Sequence, residues 1–413
     1  MDREKIYETF LSLARIGEEE DGAVSRLLFG EAYMEAVRQT EKYMKTAGLE
    51  TWVDPCGNLH GFFSCGKPGS RTIYMGSHLD TVKEGGRYDG MLGVVGAVEA
   101  FRELRRRLDA GGEWNVNIHI LATNGEEGND LGGTFGSRAM TGLVDPDMPG
   151  FMERAAAYGL SREDLEQVRL PMDDGLCYLE LHIEQGDTLD RSGEQIGIVT
   201  GIVGLERYAV TVYGESNHAG TTMMEYRKDA LVGAAGLIRE FDRLARELGH
   251  QMVATVGTLS VFPGAVSVIP ERTEMVLEIR NLSRERMGKF MELAREAADR
   301  LPDVTAEFRS LVKKAPVPCS EELQDRLETI CMRHQCRYRR MSSGATHDGN
   351  AMASKMPIGM IFVPSRDGIS HNRREFTQWE DAVRGMEILS DLAEDINRSP
   401  VPGRLPGNRS TEE

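Results

Sequence analysis

Hydrophobic runs along this chain predict short buried strands that alternate with helices. The segments 72–77, 118–122 and 360–363 are apolar and bounded by polar residues, as buried strands are, and 90–108 predicts a helix. Strands and helices alternate to about residue 197, which indicates an α/β layer architecture. Open α/β sheets carry their sites at the carboxyl ends of strands, so we expect the chemistry to follow these runs.

After Gly201 the pattern changes, and the segments predict an inserted α+β sandwich, with four strands and two helices on one face. Those recognised are strands 208–213, 253–262 and 273–280 and helices 229–248 and 283–301. We therefore expect a discontinuous catalytic domain, 1–199 with 313–413, around an insert at 200–312. The tail 397–413 is rich in Pro, Gly, Arg and Glu and is expected to fray.

Imidazole and carboxylate side chains follow the predicted strands. They are His78, Asp80 and Asp89 after the first strand, Glu126 and Glu127 after the second, His182 at another strand end, and His371 after the last. Imidazole with carboxylates fits zinc or manganese better than calcium, and a site with open positions is more often catalytic than structural. The sequence therefore predicts a catalytic metal site.

The composition and net charge restrict the classes of molecule that this chain is expected to bind. The 413 residues, 40% of them hydrophobic, can bury a large core, and a net charge of −17 argues against nucleic acid or an anionic membrane. A small polar ligand suits this charge better. No apolar run approaches the roughly 18 residues of a membrane span, and the first residues lack a signal-peptide core, so we expect a cytoplasmic protein. Six scattered cysteines indicate neither a disulfide framework nor a zinc ribbon.

The motifs resemble those of the dinuclear metal amidohydrolases of the aminoacylase and carboxypeptidase clan. The best agreement is with the hydantoinase/carbamoylase branch, which contains N-carbamoyl-L-amino-acid hydrolases, β-ureidopropionases and allantoate amidohydrolases. The matching segments, in family order, are 76–81 (GSHLDT), 89–90 (DG), 126–128 (EEG), 182–186 (HIEQG), 218–222 (HAGTT), 343–344 (SG), 347–348 (HD) and 368–371 (GISH). They span almost the whole chain.

The resemblance implies two divalent metal ions per subunit, zinc or manganese, with cobalt as a further candidate. Asp89 would bridge both ions. His78 and His182 would complete one site, and Glu127 and His371 the other. His182 favours the ureido branch, since related exopeptidases have Asp or Glu there.

Further roles follow from the same resemblance. Glu126 would be the general base for a metal-bridging hydroxide, and Asp80 would fix the imidazole tautomer of His78. By residue type alone, His218 is a loop histidine that caps a turn. The family motif implies instead that His218 stabilises the oxyanion in the active site of the partner subunit. The resemblance thus implies a homodimer, in which the insert serves as lid and dimerisation domain.

Four residues are expected to bind substrate. By residue type alone, Arg280 is an ordinary surface cation, but the resemblance implies that it binds the substrate carboxylate through two parallel hydrogen bonds. Gln185 would orient the ureido or amide group, and His347 falls in a substrate-facing motif. Ser267 stands where the branch usually has an Asn that grips the carboxylate.

The sequence differs from the usual pattern of the branch at two further positions, where Thr346 replaces a Gly and Met223 replaces a Pro. These differences leave the metal ligands intact but put the identity of the substrate in doubt. The expected function is hydrolysis of the C–N bond of an N-carbamoyl-L-amino acid or allantoate-type ureido acid, with release of ammonia and carbon dioxide. The alternatives are an aminoacylase or exopeptidase that cleaves an acyl-amino acid or dipeptide, and a catalytically inactive binding protein.

Overall fold

The computed structural model describes residues 1–401, which divide into two compact units. One comprises Met1–Thr200 together with the chain from Pro318 onwards, and the other is Gly201–Val317. The helices, in chain order, are α1 (Arg3–Ala14), α2 (Glu31–Ala47), α3 (Met91–Asp109), α4 (Phe135–Thr141), α5 (Phe151–Ala157), α6 (Arg162–Gln167), α7 (Thr188–Ser192), α8 (Ala230–Leu248), α9 (Arg284–Asp299), α10 (Glu321–Arg333), α11 (Gly349–Met352) and α12 (Trp379–Arg398).

The strands carry the polar ends on which the site depends. They are β1 (Glu50–Val53), β2 (Leu59–Phe63), β3 (Thr72–His78), β4 (Asn117–Thr123), β5 (Gly175–Ile183), β6 (Ile196–Ile202), β7 (Gly204–Tyr213), β8 (Val253–Phe262), β9 (Arg272–Asn281), β10 (Thr305–Lys314), β11 (Val317–Pro318), β12 (Tyr338–Ser343) and β13 (Ile358–Val363). Short 3-10 helices lie at Met172–Asp174, Met224–Tyr226 and Arg366–Gly368.

The first unit is built on a nine-stranded sheet in the order β1-β2-β4-β3-β5-β13-β6-β11, with β12 paired to β6. Strands β4, β3, β5 and β13 are mutually parallel, whereas β2 and β6 are antiparallel to their neighbours β4 and β13. Every residue of β3, β5 and β13 is buried, as expected for parallel strands covered on both faces. The predicted α/β class is confirmed.

Helix α3 packs closely on the centre of this sheet. It is apolar on nearly all sides of its first half, and a Cβ added to Gly93 would lie 2.2 Å from the Leu181 carbonyl oxygen. A larger residue at this position would therefore push the helix off the sheet. Because α3 begins at Met91, two residues after Asp89, this close packing also restricts where the Asp89 carboxylate lies.

The parallel strands bring their carboxyl ends to one edge of the sheet. His78 at the end of β3 is opposite Thr123 at the end of β4, and Val363 at the end of β13 is opposite Ile183 at the end of β5. The polar residues that follow these strands must therefore emerge side by side.

The second unit is a four-stranded antiparallel sheet in the order β10-β7-β9-β8 with α8 and α9 on one face. Tyr208 and Val210 of β7 are opposite Leu277 and Met275 of β9, and all four side chains join one buried cluster with the two helices. The unit ends at Val317 rather than at residue 312, because β10 runs to Lys314 and pairs with β7.

The predicted frayed tail needs correction at its start. Asn397 is fully buried in α12, its side-chain Nδ2 donates to the Glu113 carbonyl, and its Oδ1 accepts the N–H of Asn115. The rest of that prediction, from residue 402, lies outside the described residues. Within residues 1–401 we find no helix that is both long enough and apolar enough to cross a membrane.

Candidate metal centre

The Asp89 carboxylate lies at the centre of a cluster of imidazole and carboxylate groups. Its Oδ1 is 3.3 Å from His78 Nε2 and 3.1 Å from His182 Nε2. Its Oδ2 is 3.3 Å from His371 Nε2, which in turn is 3.2 Å from Glu127 Oε1. The structure therefore brings together the five residues that the sequence singled out as ligands.

These residues form two groups that share Asp89, and in each group the donor atoms lie within 4.8 Å of one another. His78, Asp89 and His182 make one group, and Asp89, Glu127 and His371 the other. Asp89 Oδ1 is buried between two imidazole nitrogens and has no hydrogen-bond partner among the described groups. Because an unpaired buried carboxylate oxygen is costly and a cation would satisfy it, this donor set fits a metal ion.

The electrostatics of the cluster also favour a cation. Burial lowers the pKa of His78, but the carboxylates of Asp89, Glu126 and Asp80 outweigh it and leave that pKa well above its usual value. Burial raises the pKa of Asp89, but the imidazoles around it outweigh that effect and hold it well below its usual range. A field that holds protons on imidazole will equally attract a divalent cation.

Metal binding is expected to release at least one proton near neutral pH. The carboxylates of Asp89 and Glu127 outweigh burial and raise the pKa of His371 to about 10, so this imidazole is protonated before a metal binds. Only the neutral ring is a ligand, so metal affinity should rise with pH by about tenfold per unit for each proton released, until the pH passes that pKa. Calorimetric zinc titrations in two buffers of different ionisation enthalpy count the protons.

His371→Ala provides the control for this prediction, because it should release fewer protons than the wild-type chain. A metal affinity that does not change between neutral and alkaline pH would contradict it.

Backbone carbonyls orient the two buried imidazoles. His78 Nδ1 is 2.9 Å from the carbonyl oxygen of Asp80, and His182 Nδ1 is 2.9 Å from that of Ile183. An Nδ1–H that donates to a carbonyl leaves Nε2 as the lone-pair nitrogen. In both rings this nitrogen is the one that faces Asp89.

Asp80 contacts the His78 ring through its backbone carbonyl and not through its carboxylate. Its carboxylate oxygen is 3.7 Å from His78 Nδ1, too far for a hydrogen bond, because the nearer acceptor is the Asp80 carbonyl. The carboxylate instead accepts the backbone N–H groups of Gly125, Glu126 and Glu127 at 2.9–3.1 Å. Asp80 therefore shapes the turn that carries Glu126 and Glu127.

Glu126 lies beside the cluster and contributes no atom to either group of donors. Its Oε2 is 3.9 Å from His78 Nε2, and its Oε1 is buried without a partner among the described residues. Burial raises its pKa well above the usual range, the charges of Glu127, Asp348 and Asp80 add to this, and His78 opposes it. A buried carboxyl with raised proton affinity beside a metal site has the properties of a general base.

Residues 74–395 match the peptidase family M20/M25/M40. The chain belongs to this family. It is 36% identical over 398 residues to the N-carbamoyl-L-amino acid amidohydrolase of Geobacillus stearothermophilus, a match that covers 94% of this chain and 96% of the relative. It is 33% identical over 402 residues to the allantoate amidohydrolase of Escherichia coli (strain K12), with 94% and 96% covered.

A solved structure gives the same result for the fold. The crystal structure of an amidase of the hydantoinase/carbamoylase family from Burkholderia multivorans is 27% identical, covers 97% of this chain and 99% of its own, and has a TM-score of 0.85. The family resemblance that the motifs indicated is therefore confirmed. This M20/M25/M40 chain is a hydrolase of the amidohydrolase class.

In this M20/M25/M40 hydrolase, Gln185 contacts the shared carboxylate directly. Its Nε2 donates to Asp89 Oδ2 at 2.8 Å, and its Oε1 is buried without a partner among the described residues. Its backbone has a φ of 59°, an uncommon conformation for glutamine. Gln185 thus leaves one acceptor at the edge of the cluster.

His347 lies behind the cluster and is only 1% exposed. Its ring centroid is 4.6 Å from that of His182, and its Nε2 is 2.7 Å from Ser343 Oγ. Burial and the neighbouring His182 hold its pKa well below the usual value, so the ring is neutral. Its ring contacts those of His182 and Phe362, and the donor atoms of Glu180, His182 and His347 lie within 4.8 Å of one another.

His218 lies on an exposed loop of the second unit, where it caps a turn. Its Nδ1 accepts the backbone N–H groups of Gly220 and Thr221 at 3.0 and 3.1 Å, which leaves Nε2 to carry the proton. The neighbouring loop is held close, since the Ser267 carbonyl accepts the N–H of Ala219 at 2.9 Å. His218 and Ser267 therefore belong to adjoining loops.

Arg280 lies on β9, on the sheet face opposite α8 and α9. Its neighbours Ile279 and Leu277 alternate with it and join the helix-packed cluster. Its Nε donates to Glu278 Oε1 at 2.8 Å, and Arg207 donates to the other oxygen of the same carboxylate. The guanidinium is thus oriented within its own unit.

Several buried charged residues around the cluster did not stand out in the sequence. Glu180 Oε2 accepts the N–H of Gly349 at 3.1 Å. Arg26, fully buried, donates from Nε to the Leu79 carbonyl at 2.7 Å. Their type and spacing match no site pattern, so only the fold reveals them.

A further residue of this kind is Glu375. It follows His371 by four residues, which is the one signal in the sequence that could have drawn attention to it.

Proposed function

We propose that the chain is a metal-dependent amidohydrolase that hydrolyses the C–N bond of an N-carbamoyl-L-amino acid or an allantoate-type ureido acid and releases ammonia and carbon dioxide. The observation that carries this proposal is the pair of donor groups that share Asp89, with the buried Glu126 beside them. The names of the relatives point to the same class of substrate.

Two divalent ions, zinc or manganese, would be held by the two groups. His78 and His182 would complete one site and Glu127 and His371 the other, with Asp89 shared between them. When bound, such ions polarise a carbonyl and lower the pKa of water. The remaining chemistry is done by side chains of the protein.

Glu126 would accept the proton of the attacking water and return it to the leaving nitrogen. Its burial and raised pKa make the carboxylate a stronger acceptor for the water proton, which it can then return to the nitrogen. Because Oε1 has no competing partner among the described groups, it is available to receive that proton.

Three groups would bind the substrate. Arg280 would pair with the substrate carboxylate, and the unpartnered Gln185 Oε1 would accept an N–H of the ureido group. His218, which carries its proton on Nε2, would donate to the developing oxyanion from the partner subunit. Ser267 and His347 remain candidates for substrate contact.

A homodimer is part of this proposal. Strand β8 is an edge of its sheet and carries exposed apolar residues, with Val253 52% and Leu259 42% exposed. An uncharged apolar edge strand is a ready template for pairing with another chain. The exposed Val232 of α8, at 68%, adds apolar surface to the same unit.

An aminoacylase or exopeptidase is the second candidate, because it would use the same metal chemistry on an acyl or peptide amide. A panel of N-carbamoyl-L-amino acids, allantoate, N-acetyl-amino acids and dipeptides, with enzyme reconstituted in turn with zinc, manganese and cobalt, separates the two. The proposal expects turnover of ureido acids to exceed that of the others at equal concentration. Preferential cleavage of dipeptides or acyl-amino acids would overturn it.

Arg280→Lys is expected to weaken binding of carboxylated substrates, although the charge is kept. A lysine ammonium is a point charge and cannot replace the two parallel bonds of a guanidinium, so KM should rise about tenfold or more. The matched control is Arg207→Lys, since Arg207 contacts the same Glu278 carboxylate. Equal KM values for both variants would identify Arg280 as an ordinary surface residue.

A further inference from the structure

The carboxylate of Glu375 joins two loops of the metal centre. Its Oε1 accepts the backbone N–H groups of Tyr88 and Asp89 at 2.8 and 3.0 Å. Its Oε2 lies 3.0 Å from Ser370 Oγ, one residue before His371. Glu375 thus connects the loop that presents Asp89 to the loop that presents His371.

The connection continues to the shared carboxylate itself. Ser370 Oγ is also 3.1 Å from Asp89 Oδ2, so its single O–H lies between the carboxylates of Asp89 and Glu375. The same Asp89 oxygen faces His371 Nε2. A shift of the Glu375 carboxylate would therefore change the position of Asp89 relative to His371.

The site is shaped around this carboxylate. Glu375 is 5% exposed, and a Cβ added to Gly86 would lie 2.1 Å from its Oε1, so the loop backbone passes directly against it. His371 has a φ of 52°, a conformation that persists only where its surroundings hold it. The bonds of Glu375 supply that restraint from one side.

We propose that Glu375 is a positioning residue that fixes the separation of Asp89 and His371 and thereby sets the affinity of the metal site formed by Asp89, Glu127 and His371. This inference rests on the proposed metal-dependent function. Glu375 contributes no donor atom to either group. It acts through the backbone of Asp89 and through Ser370.

The test compares Glu375→Ala, Glu375→Gln and Ser370→Ala with the wild-type chain by Co²⁺ titration of metal-free protein. Affinity is measured against a competing chelator, and the d–d absorption spectrum reports coordination geometry. Loss of an outer partner of a ligand typically costs 10–100-fold in metal affinity, and we expect this from Glu375→Ala, with an altered spectrum. Glu375→Gln keeps an oxygen acceptor for the backbone N–H groups and should restore most of the affinity.

Glu103→Gln is the matched control, because Glu103 is also a buried carboxylate with several bonds, to Arg106 and Arg107 on α3. It should lower the thermal midpoint without changing Co²⁺ affinity or spectrum. If Glu375→Ala behaves like this control, the positioning role is refuted. If Glu375→Ala does not fold, Ser370→Ala decides, since a wild-type affinity and spectrum in that variant would also refute it.

This outcome is separable from failure of the proposed function. A wild-type chain that binds Co²⁺ but turns over no ureido acid would overturn the substrate proposal and leave the Glu375 result standing. A wild-type chain that binds no Co²⁺ would overturn both.

Discussion

Glu126→Gln is expected to keep the metal content of the wild-type chain and to lose turnover by about 10²–10⁴-fold, the usual contribution of a positioned general base. Glu126 supplies no atom to either donor group, so the ligand set stays intact. The amide has the shape of the carboxyl group but cannot take the proton of the attacking water. Metal analysis and kcat on the same preparation measure both halves of this prediction.

The adjacent residue provides the contrast. Glu127 faces His371 at 3.2 Å and belongs to a donor group, so Glu127→Gln should lose metal together with activity. Near-normal turnover by a fully loaded Glu126→Gln would show that another group is the base.

Mixing two inactive variants should restore about a quarter of the wild-type activity, if His218 serves the partner's active site. Glu126→Ala and His218→Ala homodimers are each expected to be inactive. Random exchange makes half of the dimers mixed, and each mixed dimer has one complete site of two. The measurement is activity after mixing, with subunit exchange shown independently by two affinity tags.

A second mixture of variants serves as the negative control. Glu126→Ala with Glu127→Ala places both defects in the first unit of each chain, so exchange should rebuild no site. An inactive mixture of the His218 and Glu126 variants, with exchange demonstrated, would mean that His218 acts in its own chain.

The sequence predicts the centre of the site well because each ligand follows a buried strand or its loop. His78 ends β3 and His182 lies near the end of β5, so apolar runs mark their positions before any fold is known. Parallel pairing then forces these ends together. Residue type and strand position therefore mark the candidates, and the family resemblance selects the five ligands among them.

Contacts made by the backbone could not be predicted in the same way. The spacing of His78 and Asp80 suggests a contact, but it does not distinguish the carboxylate of Asp80 from its carbonyl. Glu375 meets Asp89 across most of the chain length, and its acceptors serve backbone N–H groups that every residue possesses. Such pairs leave no pattern in a single sequence.

The end of the insert was also hard to place. Strand β10 is an edge strand in which most residues are at least partly exposed, so its apolar alternation is weak. Its pairing with β7, far earlier in the chain, defines it instead. Local pattern alone therefore ended the insert too early.

The chain leaves the first unit along β6 and returns along β11, and these two strands are neighbours in the large sheet. The N–H of Cys319 donates to the Thr200 carbonyl at 3.0 Å, so the points of departure and return are bonded directly to each other. A domain whose two ends lie next to each other can be replaced without changing the path of the chain in the other domain. Chimeras that graft the insert of a relative between Thr200 and Cys319 would thus show which unit carries substrate choice, because the metal ligands would stay in the host.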